Sequence, residues 1–276
     1  MNTSRIIYPI PLLSSYVKYF WILNTDSTNT IQTIPSGCIH LVFHRGNNLH
    51  FANGAKQPRN FIRGQLSKPG SLSPHGHINM IAVVFHPLGM VPFLPFPTDH
   101  LYNRYVDMEG IEDAGLKNLA RAISSEKNPL RCIKKIEQFF SDRLNGFNNY
   151  NYSRIFSAIQ LLKEQVETDI SALANHVCLG YRHFKREFTK YAGMNPKEYQ
   201  RVIRFQKALY SMQKNPDINI TELIETCGFY DQSHLVKDFK LMTDCTPTEY
   251  LFSRKPHSTF FSDECRLNLI KSDQVN

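Results

Sequence analysis

The 276-residue sequence lacks any unbroken apolar run approaching the ~20 residues that a helix needs to cross a bilayer. The longest candidate, 78–94, is cut by His86, Pro87 and Pro92. The first nine residues, Met1-Asn2-Thr3-Ser4-Arg5-Ile6-Ile7-Tyr8-Pro9, lack the basic-then-apolar order of a secretion signal, so the expected location is the cytoplasm, away from a membrane. There is no C-x-x-C pair. The six cysteines, Cys38, Cys132, Cys178, Cys227, Cys245 and Cys265, are scattered in a way that suits neither a zinc module nor a small disulfide scaffold. Cys178 and Cys227 fall near helix ends and read as buried, reduced thiols. The 13 glycines are dispersed and form no phosphate-binding loop, and neither a nucleophile elbow nor a paired-carboxylate motif occurs. Catalysis therefore has no support in the sequence, and no cofactor is expected. Charged residues make up only 20% and are mixed in sign, which excludes a disordered chain.

What is present begins with a core: 42% of the residues are hydrophobic, and the length suits two domains. The net charge of +8 suggests a polyanionic partner. Its distribution alone misleads. Residues 1–151 carry 15 Lys/Arg against 9 Asp/Glu, whereas 152–255 carry 15 against 12. Clustering on one face is what binds DNA, and that is read from motifs.

The expected fold class is α+β. Residues 1–108 hold β-branched and apolar runs (39–43 and 78–85) between Gly and Pro turns, which predicts a small β-barrel or sandwich. Two amphipathic helices follow within 112–145, one carrying Leu116, Leu119, Ala120 and Ile123 and the next Leu130, Ile133, Ile136, Phe139, Phe140 and Leu144. A Gly- and Asn-rich stretch at 144–149 reads as a linker. Helical periodicity then runs from Tyr152 to Phe252, and the end of the chain shows no clear period. The expected division is 1–147, 148–255 and a tail at 256–276.

Within 169–250 the chain repeats itself. Asp169 opens one copy, with Ile170, Leu173, Ala174 and Val177 forming a helical stripe. Asn219 opens the second, with Ile220, Leu223, Ile224 and Cys227 at the same spacing. Both openers are good N-caps, and Glu222 completes a capping box with Asn219. A turn follows in each copy, 178–180 or 228–231, then a helix through Phe184 and Phe188 or Leu235 and Phe239. The copies close alike on 193–199 and 244–250. From Phe184 onward the offset is 51, so the turns differ by one residue. Two short helices across a tight turn form a helix-turn-helix unit, whose second helix can enter a major groove. Between the copies, 196–212 reads as one longer helix with Tyr199, Ile203 and Leu209 apolar, a rod of roughly 25 Å.

The string Cys227-Gly228-Phe229-Tyr230-Asp231-Gln232-Ser233-His234-Leu235, with Phe239 and then Thr246-Pro247-Thr248-Glu249-Tyr250, makes residues 152–254 resemble the DNA-binding domain of the AraC/XylS family of transcription regulators. The first copy departs from that pattern, with Cys178 at the usual turn glycine and Gly180 where a Ser cap is common. The resemblance implies an all-α domain of two helix-turn-helix units joined by a long helix, with double-stranded DNA as partner. By position, it implies groove-facing Tyr181, Arg182, Lys185 and Arg186 in the first recognition helix and Gln232, Ser233, Val236 and Lys237 in the second. Arg and Lys donate to guanine, Gln pairs with adenine, and Val packs on a thymine methyl. His183 and His234 are candidates for packing or phosphate contact, and Arg201 and Arg204 for phosphate contact or plain exposure. A merely solvated helix face is the competing reading, and a nucleoid protein without sequence preference is another. Gln232 and Ser233 beside Lys237 favour sequence readout, since pure backbone binding needs mainly Lys and Arg.

The first half resembles, less closely, a cupin-like sensor domain, on the residues Tyr19-Phe20-Trp21, the 36–43 segment, Arg63-Gly64-Gln65 and the 84–89 segment. That implies a small-molecule effector inside a barrel and a homodimer seam on the 112–145 helices, with RNA polymerase as a further partner of the whole chain. His40, His44, His75, His77 and His86 invite a metal reading, but His40 and His44 would sit about 13 Å apart on a strand, too far for one ion. No metal is expected.

Overall fold

The computed structural model describes residues 3–253 apart from 146, 148 and 216, so the tail expected at 256–276 lies outside the described residues. The first half is built on two antiparallel sheets. The larger runs β1 (Thr3–Ile7), β2 (Val17–Thr25), β8 (Ile78–Phe85), β4 (His40–His44), β6 (Asn60–Arg63) and β9 (Tyr105–Asp107) from edge to edge. The smaller has β7 (Gly70–Pro74) between β3 (Ile31–Thr33) and β5 (Leu49–Phe51). β2 and β8 pair over their whole length, from Val17 opposite Phe85 to Thr25 opposite Ile78.

The central strands show no apolar–polar alternation because both of their faces are covered. On one side Tyr19, Trp21, Phe61, Leu72 and Met80 fill the space between the sheets, so the interior expected to hold a ligand is taken up by side chains. On the other side Phe20, Leu41, Phe43, Ile81, Val83 and Phe85 pack against α1 (Ala114–Ser125) and α2 (Pro129–Leu144). The apolar stripes of these two helices, Leu116, Leu119, Ala120 and Ile123 with Ile133, Ile136 and Phe140, are spent on the sheet. A dimer seam would have to use their other faces. Asp113 and Asn128 cap the two helices through backbone N–H groups at Leu116 and Leu130, and Arg143 of α2 clasps Asp113 at 2.5 Å.

The second half is helical. It comprises α3 (Tyr150–Glu164), α4 (Ile170–His176), α5 (Tyr181–Ala192), α6 (Pro196–Lys214), α7 (Ile220–Cys227), α8 (Gln232–Thr243) and α9 (Pro247–Ser253). Their core also takes in Ile34 and Leu88 from the first half. None of the described helices is long and apolar enough to cross a membrane.

The histidines separate by environment. His40 and His44 lie on β4, both fully buried, with Arg63 Nη2 within 3.0 Å of the His40 ring and Gln57 Oε1 3.1 Å from His44 Nε2. His75 and His77 fall in the turn before β8. His75 meets the His50 ring edge-on at 4.2 Å, and His77 pairs with Asp26 at 2.7 Å. Burial drives the His44 pKa down to about 4, and burial followed by the Arg63 charge holds His40 well below its ordinary value. Both therefore fold neutral, and the unfolded chain binds more protons below about pH 6.5. Stability is expected to be full above that pH and to fall as the solution is acidified towards 4, with His44 alone contributing a loss of about 3 kcal/mol. Urea unfolding from pH 7 to pH 4 measures it, and His44→Leu should flatten the slope.

Candidate nucleic-acid interface

Each helix-turn-helix unit is set by its caps. The Asp169 carboxylate accepts from the Ser171 N–H at 2.7 Å, and the Asn219 side chain accepts from the Glu222 N–H at 2.9 Å, starting α4 and α7. α4 and α7 end at residues with positive φ, Cys178 (52°) and Gly228 (75°). In both, the next residue donates back into the helix: Leu179 N–H to Ala174 O at 2.9 Å, Phe229 N–H to Ile224 O at 3.1 Å. Leu179 and Phe229 are thereby driven into the core. The extra residue of the second turn is Tyr230, 90% exposed, and Asp231 then caps α8 by accepting from the His234 N–H at 2.7 Å. Gly180 caps α5 with no side-chain bond. Cys178 was expected to be buried. It is exposed, because a left-handed turn residue sits at the surface end of α4.

The two recognition helices bury equivalent sides. Phe184, Phe188 and Tyr191 of α5, and Leu235, Phe239 and Met242 of α8, point inward. Phe188 meets Tyr199 edge-on at 5.5 Å and Phe239 meets Phe205 at 5.1 Å, so both helices rest on α6. At 1.5 Å per residue, the 19 residues of α6 span roughly 28 Å. On the opposite side of α5 stand Tyr181, Arg182, Lys185 and Arg186, all exposed, the Arg186 side chain to 71%. Lys185 Nζ sits 5.6 Å from the Tyr181 ring centre, a cation–π contact that fans the two side chains out together. On α8, Gln232, Ser233 and Lys237 are exposed and Val236 is half-buried. These four and Lys240 line one open, shallow hollow. Lys240 escaped the sequence reading, although it lies one turn beyond Lys237.

Beneath these faces the structure holds a device that the sequence reading missed. Each recognition helix carries a buried carboxylate four residues after a histidine, His183–Glu187 at 3.6 Å and His234–Asp238 at 3.5 Å. The 51-residue offset contains both pairs, and alignment of the copies for polar as well as apolar positions would have exposed them. Glu187 accepts from Asn151 Nδ2 at 3.1 Å, with Arg186 Nε 3.3 Å away. Asp238 is held by Arg201 Nε at 3.2 Å and Arg204 Nη2 at 3.0 Å. Of the residues offered for packing or phosphate contact, His234 is half-buried, and Arg204, offered for phosphate contact or plain exposure, is largely enclosed. The Arg204 side chain is 12% exposed, bonds Asp238, places Nη2 2.9 Å from His234 Nε2, and covers the Phe229 ring at 5.2 Å. His234 Nδ1 accepts from the Tyr230 N–H at 3.3 Å, and burial followed by the Arg204 charge lowers its pKa despite Asp238. Arg201 is less enclosed, and His183 remains exposed. Among the described residues no group of three His, Cys, Asp or Glu side chains is arranged to hold a metal.

Residues 173–252 match the family described as "Helix-turn-helix domain", and residues 5–107 match one described as "Domain of unknown function (DUF6597)". The HTH-type transcriptional regulator ArgR of Pseudomonas aeruginosa is 23% identical over 112 residues, which are 40% of this chain and 34% of that protein. The chain thus spans about a third of that curated relative's length. The second half thus carries the match to a helix-turn-helix domain. Among solved structures, ToxT from Vibrio cholerae is similar over 84% of this chain and 97% of its own, with 14% identity and a TM-score of 0.47. The DNA-binding domain of AdpA, solved with a target DNA, is similar over 37% of this chain and 96% of its own, with 21% identity and a TM-score of 0.35.

Two stability outcomes follow for this helix-turn-helix domain. Cys178→Gly removes a left-handed non-glycine residue and should stabilise the fold by about 1 kcal/mol in urea unfolding; destabilisation would contradict the turn geometry. Arg204→Ala leaves buried Asp238 with Arg201 and His234 and should cost about 2 kcal/mol, whereas a surface phosphate contact would cost almost nothing in the absence of DNA.

Proposed function

We propose that this chain is a sequence-specific DNA-binding transcription regulator whose α5 and α8 read two successive major grooves of one duplex. The observation that carries this reading is the pair of equivalent exposed faces, set on one stiff helix and backed by equivalent buried aromatics. Recognition helices one turn of DNA apart need a centre-to-centre spacing of about 34 Å, which a rod of α6's length is suited to support. In this reading Arg182, Lys185 and Arg186, with Tyr181 beside them, serve the first groove. Arg186, whose side chain is 71% exposed, donates to guanine O6 and N7. Gln232, Ser233, Val236 and Lys237 serve the second, with Gln232 on adenine and Val236 on a thymine methyl. His183 and Arg201 contact phosphate, which fixes register without reading sequence.

The domain division belongs to the same proposal, with 148–255 as the DNA-reading part and 1–147 as the sensing part. A groove of about 380 Å³ at their junction supports a small-molecule effector there. It is lined by Ser36, Gly37 and Pro87 from the first half and by Ile203, Lys207 and Tyr210 from α6.

Arg186→Ala should weaken binding to an operator selected by the wild-type chain by about 1–3 kcal/mol, roughly 5- to 150-fold, and relax preference at one base pair. Gel shifts at fixed salt, with unrelated duplex as competitor, check it. Equal loss on selected and random DNA would reduce Arg186 to a phosphate contact.

A further inference from the structure

The first half grips the two helix-turn-helix units unequally. Its hold on the first unit and on α6 is close. Thr98, fully buried, places its hydroxyl 3.0 and 2.8 Å from the Lys190 and Tyr191 carbonyl oxygens at the C-terminal end of α5. The left-handed cap residue Gly193 (φ 78°) lies so near that a Cβ there would stand 3.2 Å from the Thr98 carbonyl oxygen. On α6, Glu198 accepts from the Tyr102 hydroxyl at 2.8 Å, and buried Gln206 donates to the Pro35 carbonyl at 2.6 Å. A Cβ at Gly37 (φ 73°) would lie 3.6 to 3.8 Å from side-chain atoms of Val202, Ile203 and Tyr199.

The hold on α8 is of another kind. Gln32, half-buried on the edge strand β3, donates from Nε2 to the Thr243 carbonyl oxygen at 3.0 Å, at the C-terminal end of α8. Beside it the seam is not filled. A cleft of about 140 Å³ lies between Ser67 and Lys68 of the first half and Arg201, Leu241 and Met242 of the second. Both anchors, Thr98 and Gln32, take the C-terminal ends of the recognition helices, so the exposed residues near their N-terminal ends stay clear.

Resting on the DNA-reading function above, we propose that Gln32 is a positioning residue: its bond to Thr243 fixes the angle of α8 relative to the clamped α5, and so the half-site spacing that the chain accepts. Thr98 and Gln206 hold the first unit and the rod to the sheet as one body. The second unit rests on the same α6 through Phe239 and Asp238 and is also latched to that body from β3, so the latch narrows the range of angles that the α6 contacts leave to α8. Loss of the latch leaves each face intact and widens the range of distances between the faces.

The test uses the full chain and an operator selected by it from a random duplex pool. The central spacer of that operator is varied by −2 to +2 base pairs, and affinity is measured by gel shift. Wild type should show a sharp optimum, with a loss of tenfold or more one base pair away. Gln32→Ala and the near-isosteric Gln32→Glu, which removes the donor and sets a carboxylate against the Thr243 carbonyl, should flatten that profile to threefold or less. Both should keep base preference within each half-site. Two folded variants with the wild-type profile would overturn the latch while leaving DNA recognition standing. Failure of the wild-type chain to select any operator would overturn the functional reading itself.

Discussion

One helix, α6, carries both α5 and α8, and that constraint governs the second half of the molecule. α6 offers Tyr199 to Phe188 and Phe205 to Phe239, so each recognition helix is fixed by an edge-on aromatic contact to the same rod. Edge-to-face ring pairs contribute about 0.5–1.5 kcal/mol beyond burial and, more usefully here, restrict rotation. With the aromatic side of each helix committed, its opposite side has nowhere to face but solvent. The polar residues on α5 and α8 are presented as a consequence of this packing. The buried carboxylates Glu187 and Asp238 act on the same helices from below. In the second unit Asp238 draws two arginines of α6 onto α8, welding reading head and rod electrostatically as well as by contact.

The helical half was largely legible in the sequence because its signals are local and doubled. Asp169 and Asn219 announce helix starts, Phe184 and Phe239 fall on a helical period, and the second copy checks the first. What escaped reading depends on partners far away in sequence. Arg204 looks like any cation on an exposed helix until Asp238, His234 and Phe229 are brought to it from a neighbouring element. Cys178 looks like a packing residue by type, and only its place at the usual turn glycine points to the left-handed backbone that it adopts. Glu187 and Asp238 were visible in the repeat, yet an alignment made on apolar positions passes over them.

The first half was legible in class more than in arrangement. Continuous apolar runs such as 78–85 signal strands covered on both faces, and a two-sheet structure with helices on one side provides that cover. The amphipathic stripes of 114–125 and 129–144 say that a face is buried, not against what. They proved to be the lid of the larger sheet. In the same way the short strands β3, β5 and β7 carry too few residues for a period, although β3 supplies Gln32, the contact that reaches α8.

The proposed function joins two helices on one rod to a sheet body that holds the first unit and the rod at several points and the second unit through Gln32. Its central claim is geometric and is most directly tested by hydroxyl-radical footprinting of the full chain on a selected operator. The account predicts two protected patches on one face of the duplex, centred about one helical turn apart. A single patch, or two patches on opposite faces, would contradict it.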